Sequence, residues 1–234
     1  VATVDVPVPL ATVPDLAQDG EELRLATERV HAAINLLTGA GNAAPILMRG
    51  WSEFEDPDLE RLQSGFSWAM PHEVAHPTTK LVLDEPALEF LDRCLALTGE
   101  LKRRIVLACQ HLSLARRRRN LGERATEVSI CLESLLGDNA RMDLTYKLTV
   151  RAGLIGAADL KERLSLSELV SELYKLRGQV VHGKLITVSE QQVELVDRAC
   201  DLAGRILRRL VAHGRLPDWR TVELSGGSEL ARPS

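Results

Sequence analysis

Aromatic residues make up only 3% of this 234-residue chain. A core of stacked rings is therefore excluded, and Leu, Val, Ile and Ala must supply the buried surface. That composition suits helix packing better than sheets, which favour aromatic and β-branched residues. Long apolar runs are also missing: none approaches the ~18–20 residues of a membrane span, and no secretory leader is visible. Cysteine is sparse, and the four present (Cys94, Cys109, Cys131 and Cys200) lie far apart inside apolar helical patterns. They read as buried free thiols of a cytoplasmic protein, not as a disulfide framework or a zinc knuckle. Neither sign of charge is in large excess. A net charge of −4 offers no general attraction for nucleic acid, although it leaves room for a local basic patch.

What is present is a 45% hydrophobic, 26% charged chain, long enough to bury a core as one domain with or without an appendage. It opens on Val, which fits a segment preceded by an upstream domain. Residues 1–15 are rich in Val and Pro without helical period, and read as extended, an edge strand or the end of that upstream domain. Leu23, Ala26, Val30, Ile34 and Leu37 form one apolar stripe, so the spacing predicts a first helix from about Glu21 to Leu37, stopped by Gly39 and Gly41. Residues 39–84 are irregular, with a short strand expected around Lys80–Leu83.

From Pro86 the period is helical throughout. Helices are predicted after Pro86, near Leu101–Arg116, Gly122–Leu136, Asp143–Leu154, Ser165–Val181 and Ser189–Ala212, with Ser165 and Ser189 as N-caps. Residues 215–234 read as a disordered tail. The division expected is an N-terminal extended and irregular segment over 1–84, a helical bundle over 85–214, and the tail. The fold class is all-α.

One motif is harder to assign to a solvated helix face. Arg177-Gly-Gln-Val-Val-His182 puts a permanently charged guanidinium and an imidazole near a helix end, with four residues between them. Arg offers a planar fork of donors matched to phosphate, and His can take or give a proton near neutrality. An RNA 2′-hydroxyl attacks its neighbouring phosphate once deprotonated, so such a pair needs neither metal nor cofactor. On an unbroken helix, residues five apart differ by about 140° in direction and about 7.5 Å in rise. The pair therefore forms one site only if the helix ends or distorts between them, or if a second chain completes the site. Gly183 can end the helix in the left-handed conformation, Gly178 leaves room beside His182, and Lys184 adds positive charge. The alternative is a structural Arg and His⁺ that satisfy the last carbonyls and complement the helix dipole.

Three segments in order, Arg124–Gly137 (RATEVSICLESLLG), Tyr146–Gly156 (YKLTVRAGLIG) and Glu172–Lys184 (ELYKLRGQVVHGK), resemble the HEPN superfamily, and its ApeA-like group in particular. The resemblance covers about residues 85–214. It implies a HEPN-like helical bundle, a homodimer that brings two Arg-x4-His motifs together, and metal-independent endoribonuclease activity of the kind found in toxin–antitoxin and anti-phage defence systems. An antitoxin-type partner and RNA as substrate are implied with it. Arg177 would hold the scissile phosphate and His182 would be the general acid/base; Lys184, Tyr174, Gly178 and Arg151 would contact substrate. Catalytic members often carry Asn, Asp or His directly after the Arg, where this chain has Gly178. HEPN domains without activity serve RNA or nucleotide binding or dimerisation, and that is the alternative function.

Two competing signals are weaker. His72-Glu-Val-Ala-His76 matches H-E-x-x-H, with Glu85 or Glu89 as a third zinc ligand and Glu73 as base. Pro71 and Pro77 bracket it, and Pro77 disfavours helical geometry at His76. Arg116–Arg119 with Arg124 form the densest basic cluster, either a solvated helix C-terminus or a place for RNA phosphates. Glu133, in an otherwise apolar helix, is expected either at the surface or paired with Arg151 or Arg177.

Overall fold

The structure, a computed structural model, describes residue 32 and residues 35–41, 84–138, 143–183 and 188–227. Residues 1–15, the strand expected near residue 80, His72, Glu73, His76 and Lys184 lie outside the described residues. The regular elements are helices: α1 (Glu85–Ala96), α2 (Gly99–Arg117), α3 (Leu121–Leu136), α4 (Leu144–Gly156), α5 (Leu160–Val181), α6 (Glu190–His213) and α7 (Trp219–Leu224). A further helical segment covers residues 35–40. The predicted all-α bundle is the fold that forms. No described helix is long and apolar enough to cross a membrane.

Local chemistry sets most of the boundaries. Asp84 caps α1 by accepting from the Ala87 amide at 3.0 Å, with Pro86 in the first turn where its missing N–H costs nothing. Asn120 caps α3 through the amides of Gly122 and Glu123. Ser189 caps α6 as expected, and with Gln192 it forms a reciprocal capping box. The expectation for α5 needs correction: Asp159 caps it by accepting from the Glu162 amide at 2.9 Å, so the helix begins before Ser165, which lies within it. The first turn escaped notice because its apolar residues, Leu160 and Leu164, face solvent and so break the buried stripe.

Short connections make neighbours antiparallel. Three residues join α2 to α3 and three join α4 to α5. α3 packs against α2, α4, α5 and α6, and α6 reaches α1 through α5. The amphipathic α6 buries Val196, Ala199, Ala203, Ile206, Leu207 and Leu210 on its inner side. Phe90 and Trp219 are the aromatic side chains among the buried core residues. All four cysteines are free and buried. Burial pushes the Cys94 thiol up to about 12 and Cys200 to about 11, so neither is a nucleophile at neutral pH.

Two boundaries expected from composition move. The segment 35–41 is not an appendage to the bundle but part of its core: Leu36 and Thr38 are buried. Its last carbonyls are taken up by side chains of the bundle, with Arg116 Nη1 donating to Thr38 O at 2.9 Å and Gly41 O at 2.8 Å, and Arg208 Nη1 to Gly39 O. Gly39 is not a helix stop either. The helix runs through it to residue 40, and a Cβ there would sit 2.8 Å from the Phe90 ring, so glycine permits close packing at that point.

The other correction concerns the tail. Residues 215–227 are ordered, and Asp218 caps α7, whose Trp219 and Val222 are buried. Arg151 of α4 holds it there. This guanidinium is 2% exposed and donates to Leu136 O at 2.7 Å, Asp138 Oδ2 at 2.6 Å and Glu223 Oε1 at 2.7 Å. It also lies 4.7 Å from the centroid of the Trp219 ring.

Two outcomes follow from this packing. A thiol reagent at neutral pH should leave native protein unmodified and label four cysteines in denaturant. Arg151→Ala removes the donor to the Glu223 carboxylate and the Leu136 carbonyl and leaves Asp138 to Lys147 at 3.5 Å, and should lower the unfolding free energy by about 3 kcal/mol in urea titration.

Candidate functional site

The end of α5 is built as its sequence suggests. The His182 amide still donates to Gly178 O at 3.2 Å, and the next amide, of Gly183, turns back to Val180 O at 2.9 Å. Gly183 has φ +69, the left-handed conformation that terminates a helix cheaply only at glycine. His182 is thus the last residue before the break, with φ −85 and ψ 11. Its side chain is exposed and has no hydrogen bond or ion pair among the described residues. Val180, two residues earlier, packs against Gly122 in the first turn of α3, where a Cβ would come within 2.9 Å of it. That contact sets the motif's end beside the start of α3.

Arg177 is in the opposite condition. Its Nη1 donates to Glu133 Oε1 at 2.9 Å, and the two side chains are 30% and 26% exposed. The guanidinium carbon lies 5.6 Å from the ring centroid of Tyr174, one turn earlier on α5. It therefore leans toward the helix N-terminus, the direction in which helical side chains naturally tilt, and away from His182. The Tyr174 hydroxyl is 2.9 Å from the same Glu133 Oε1 and 3.4 Å from Ser129 O. Burial first, then the Glu133 charge and hydrogen bond, hold the phenol far above its ordinary range. Tyr174 is consequently a donor to Glu133 at every physiological pH. One carboxylate oxygen so takes two donors, while the Nε of Arg177 is buried with no hydrogen-bond partner.

Gly178 lies between the two conditions. A Cβ built there meets nothing within 4 Å, and its φ is that of an ordinary helical residue. Neither backbone conformation nor packing requires glycine at this position.

The remaining candidates separate. Arg151 is not placed to meet a substrate: it is buried, and Nε, Nη1 and Nη2 all donate within the bundle. Its position inside the ordered closing region, not on the motif face, is the correction to the sequence reading. Glu133 pairs with Arg177 and not with Arg151. Lys184 lies outside the described residues. In the basic cluster, Arg116 caps the 35–41 segment, and Arg117 Nε donates to Ser113 O. Arg118 lies 3.7 Å from both Glu123 and Glu127, and Arg124 bonds Ala115 O and Asp197. Arg119 is the exposed member. These charges serve the bundle's own helix ends and carboxylates.

No group of three metal-ligating side chains occurs among the described residues. One titratable pair escaped the sequence reading: His111 Nδ1 of α2 lies 2.7 Å from Glu127 Oε2 of α3. A separation of sixteen residues, across the connection between two helices, hides such a pair from any short motif.

Because Gly178 occupies open space in a helix, Gly178→Ala should raise the unfolding free energy by about 0.5–1 kcal/mol in urea titration. Unchanged stability would mean that the last turn of α5 frays. No protein-family model matches the chain, and no curated protein or solved structure matches it either.

Proposed function

We propose that this chain is a HEPN-type, metal-independent endoribonuclease, acting as a toxin or anti-phage effector, in which two copies assemble one site from their Arg177 and His182 side chains. The observation that supports this reading most is the state of His182. It is an exposed imidazole with no hydrogen bond or ion pair among the described residues, held at a helix end beside the open space over Gly178. A histidine serving only the helix end would spend its side chain on the last carbonyls.

In this mechanism the 2′-hydroxyl of a ribose loses its proton to one His182 and attacks the adjacent phosphorus. The P–O5′ bond breaks, and a second imidazolium, the other copy's, protonates the leaving 5′-oxygen. The products are a 2′,3′-cyclic phosphate and a 5′-hydroxyl. Arg177 binds the non-bridging oxygens and stabilises the charge that grows on them. Two chains suit the geometry: within one chain the guanidinium leans toward Tyr174 while His182 lies beyond it, so a facing copy supplies the missing half.

A second reading has its own support. Arg177 is already paired with Glu133, and a guanidinium so occupied suits a silent module that binds RNA, nucleotide or a protein partner. The two separate on mixed RNA incubated with purified protein in EDTA, alongside sedimentation to establish the dimer. Cleavage should survive chelation and fall by about 10²–10⁴-fold in His182→Ala, with Arg177→Ala similarly impaired. A confirmed dimer that leaves every RNA intact would assign the chain to the binding module instead.

A further inference from the structure

We infer that Glu133 is an electrostatic latch on the motif: it occupies Arg177 until a phosphodiester displaces it, so the phosphate-binding form of the site is a second conformation in which the guanidinium has swung off the carboxylate. This rests on the reading of Arg177 as the phosphate-binding residue, and adds its regulation.

Three observations carry it. The first is competition for one guanidinium. Glu133 Oε1 sits 2.9 Å from Arg177 Nη1, and a phosphate brought to that edge would face the carboxylate across a few ångströms in a half-buried setting where like charges repel strongly. Phosphate and Glu133 therefore exclude each other there.

The second is that Arg177 pays for the latched position. Its Nε is buried and unpartnered, whereas a phosphate accepts from Nε and a terminal nitrogen together as a fork. The bound form satisfies a donor that the latched form leaves unmade. The third is that Glu133 survives release. Tyr174 keeps donating to it at 2.9 Å, and the phenol stays protonated through the whole working range. The carboxylate is never left without a partner, and the ring remains as a fixed post beside which the guanidinium moves. Space for the swing lies toward Gly178, where nothing stands within 4 Å of a Cβ. The outer torsions of Arg177 carry the motion, and α5 itself need not change.

A latch predicts a gain where a purely structural ion pair predicts a loss. Glu133→Gln keeps the size and an acceptor for Tyr174 while removing the charge. The probe is a 2′-deoxy oligonucleotide, which binds through its phosphates but has no attacking hydroxyl, followed by fluorescence anisotropy at fixed low salt. Glu133→Gln should bind it about threefold to tenfold more tightly than the wild-type chain, and Arg177→Ala added to that variant should abolish the gain. Thermal melts of the three proteins establish that each is folded. Equal or weaker binding by folded Glu133→Gln, or a gain that persists without Arg177, overturns the latch.

Cleavage of ribo-oligonucleotides by the same proteins is read separately. Tighter binding with no cleavage by any of them keeps the latch and removes the nuclease reading. Cleavage by the wild-type chain with no gain in binding by Glu133→Gln does the reverse.

Discussion

A helix must end somewhere, and its last carbonyls need donors. At the end of α3 that donor is Arg151, whose Nη1 takes the Leu136 carbonyl inside the protein. A guanidinium this deeply buried is tolerable only if its charge is matched and its other nitrogens are bonded. Asp138 and Glu223 meet that demand, and each brings a segment with it. Asp138 fixes the chain leaving α3, and Glu223 brings α7, whose Trp219 lies against the same guanidinium. The closing helix, the position of α4 and the last turn of α3 all follow from this one group. That turn also carries Glu133, whose carbonyl accepts from the Gly137 amide at 2.8 Å. The structural arginine and the motif arginine are thus linked through a single helical turn.

Arginine recurs as the answer to a core poor in aromatics. Arg116 does for the 35–41 segment what Arg151 does for α3, donating to two carbonyls at the end of a helix, and burial lowers its proton affinity. Arg124 bonds the Ala115 carbonyl near the end of α2. Charges that look in sequence like a basic surface are largely spent on helix ends. Arg177 differs from Arg116, Arg124 and Arg151: it bonds a carboxylate and no carbonyl, keeps about a third of its side chain exposed and leaves its Nε without a hydrogen bond. An interaction of that sort is easier to exchange for another anion than one that caps a helix.

The legible part of this protein was local. Apolar spacing identified the long helices, and cap chemistry identified the Ser189 N-cap and the end of α5 at Gly183, because each depends on residues within a turn or two. The place of His182 at that helix end was legible for the same reason. The illegible parts have two causes. α7 is six residues long in a polar, Gly-rich stretch, too short for a period, and only Asp218 followed by Trp219 and Val222 marks it. The start of α5 was missed because Leu160 and Leu164 are apolar but exposed, so the buried stripe did not reach back to the true cap at Asp159.

Local sequence was enough to establish that the chain is helical, where most helices begin and end, and that His182 stands at the end of α5 just before Gly183. Only the tertiary structure decided what each charge is used for. Arg151 and Arg177 are both arginines on helices, yet one is sealed against Glu223 seventy-two residues away and the other is held by Glu133 at a half-open surface. Helix periodicity specifies the face a residue occupies. Whether that face meets a carbonyl, a carboxylate or solvent depends on which distant helix packs against it, and that is settled by the burial of the whole core.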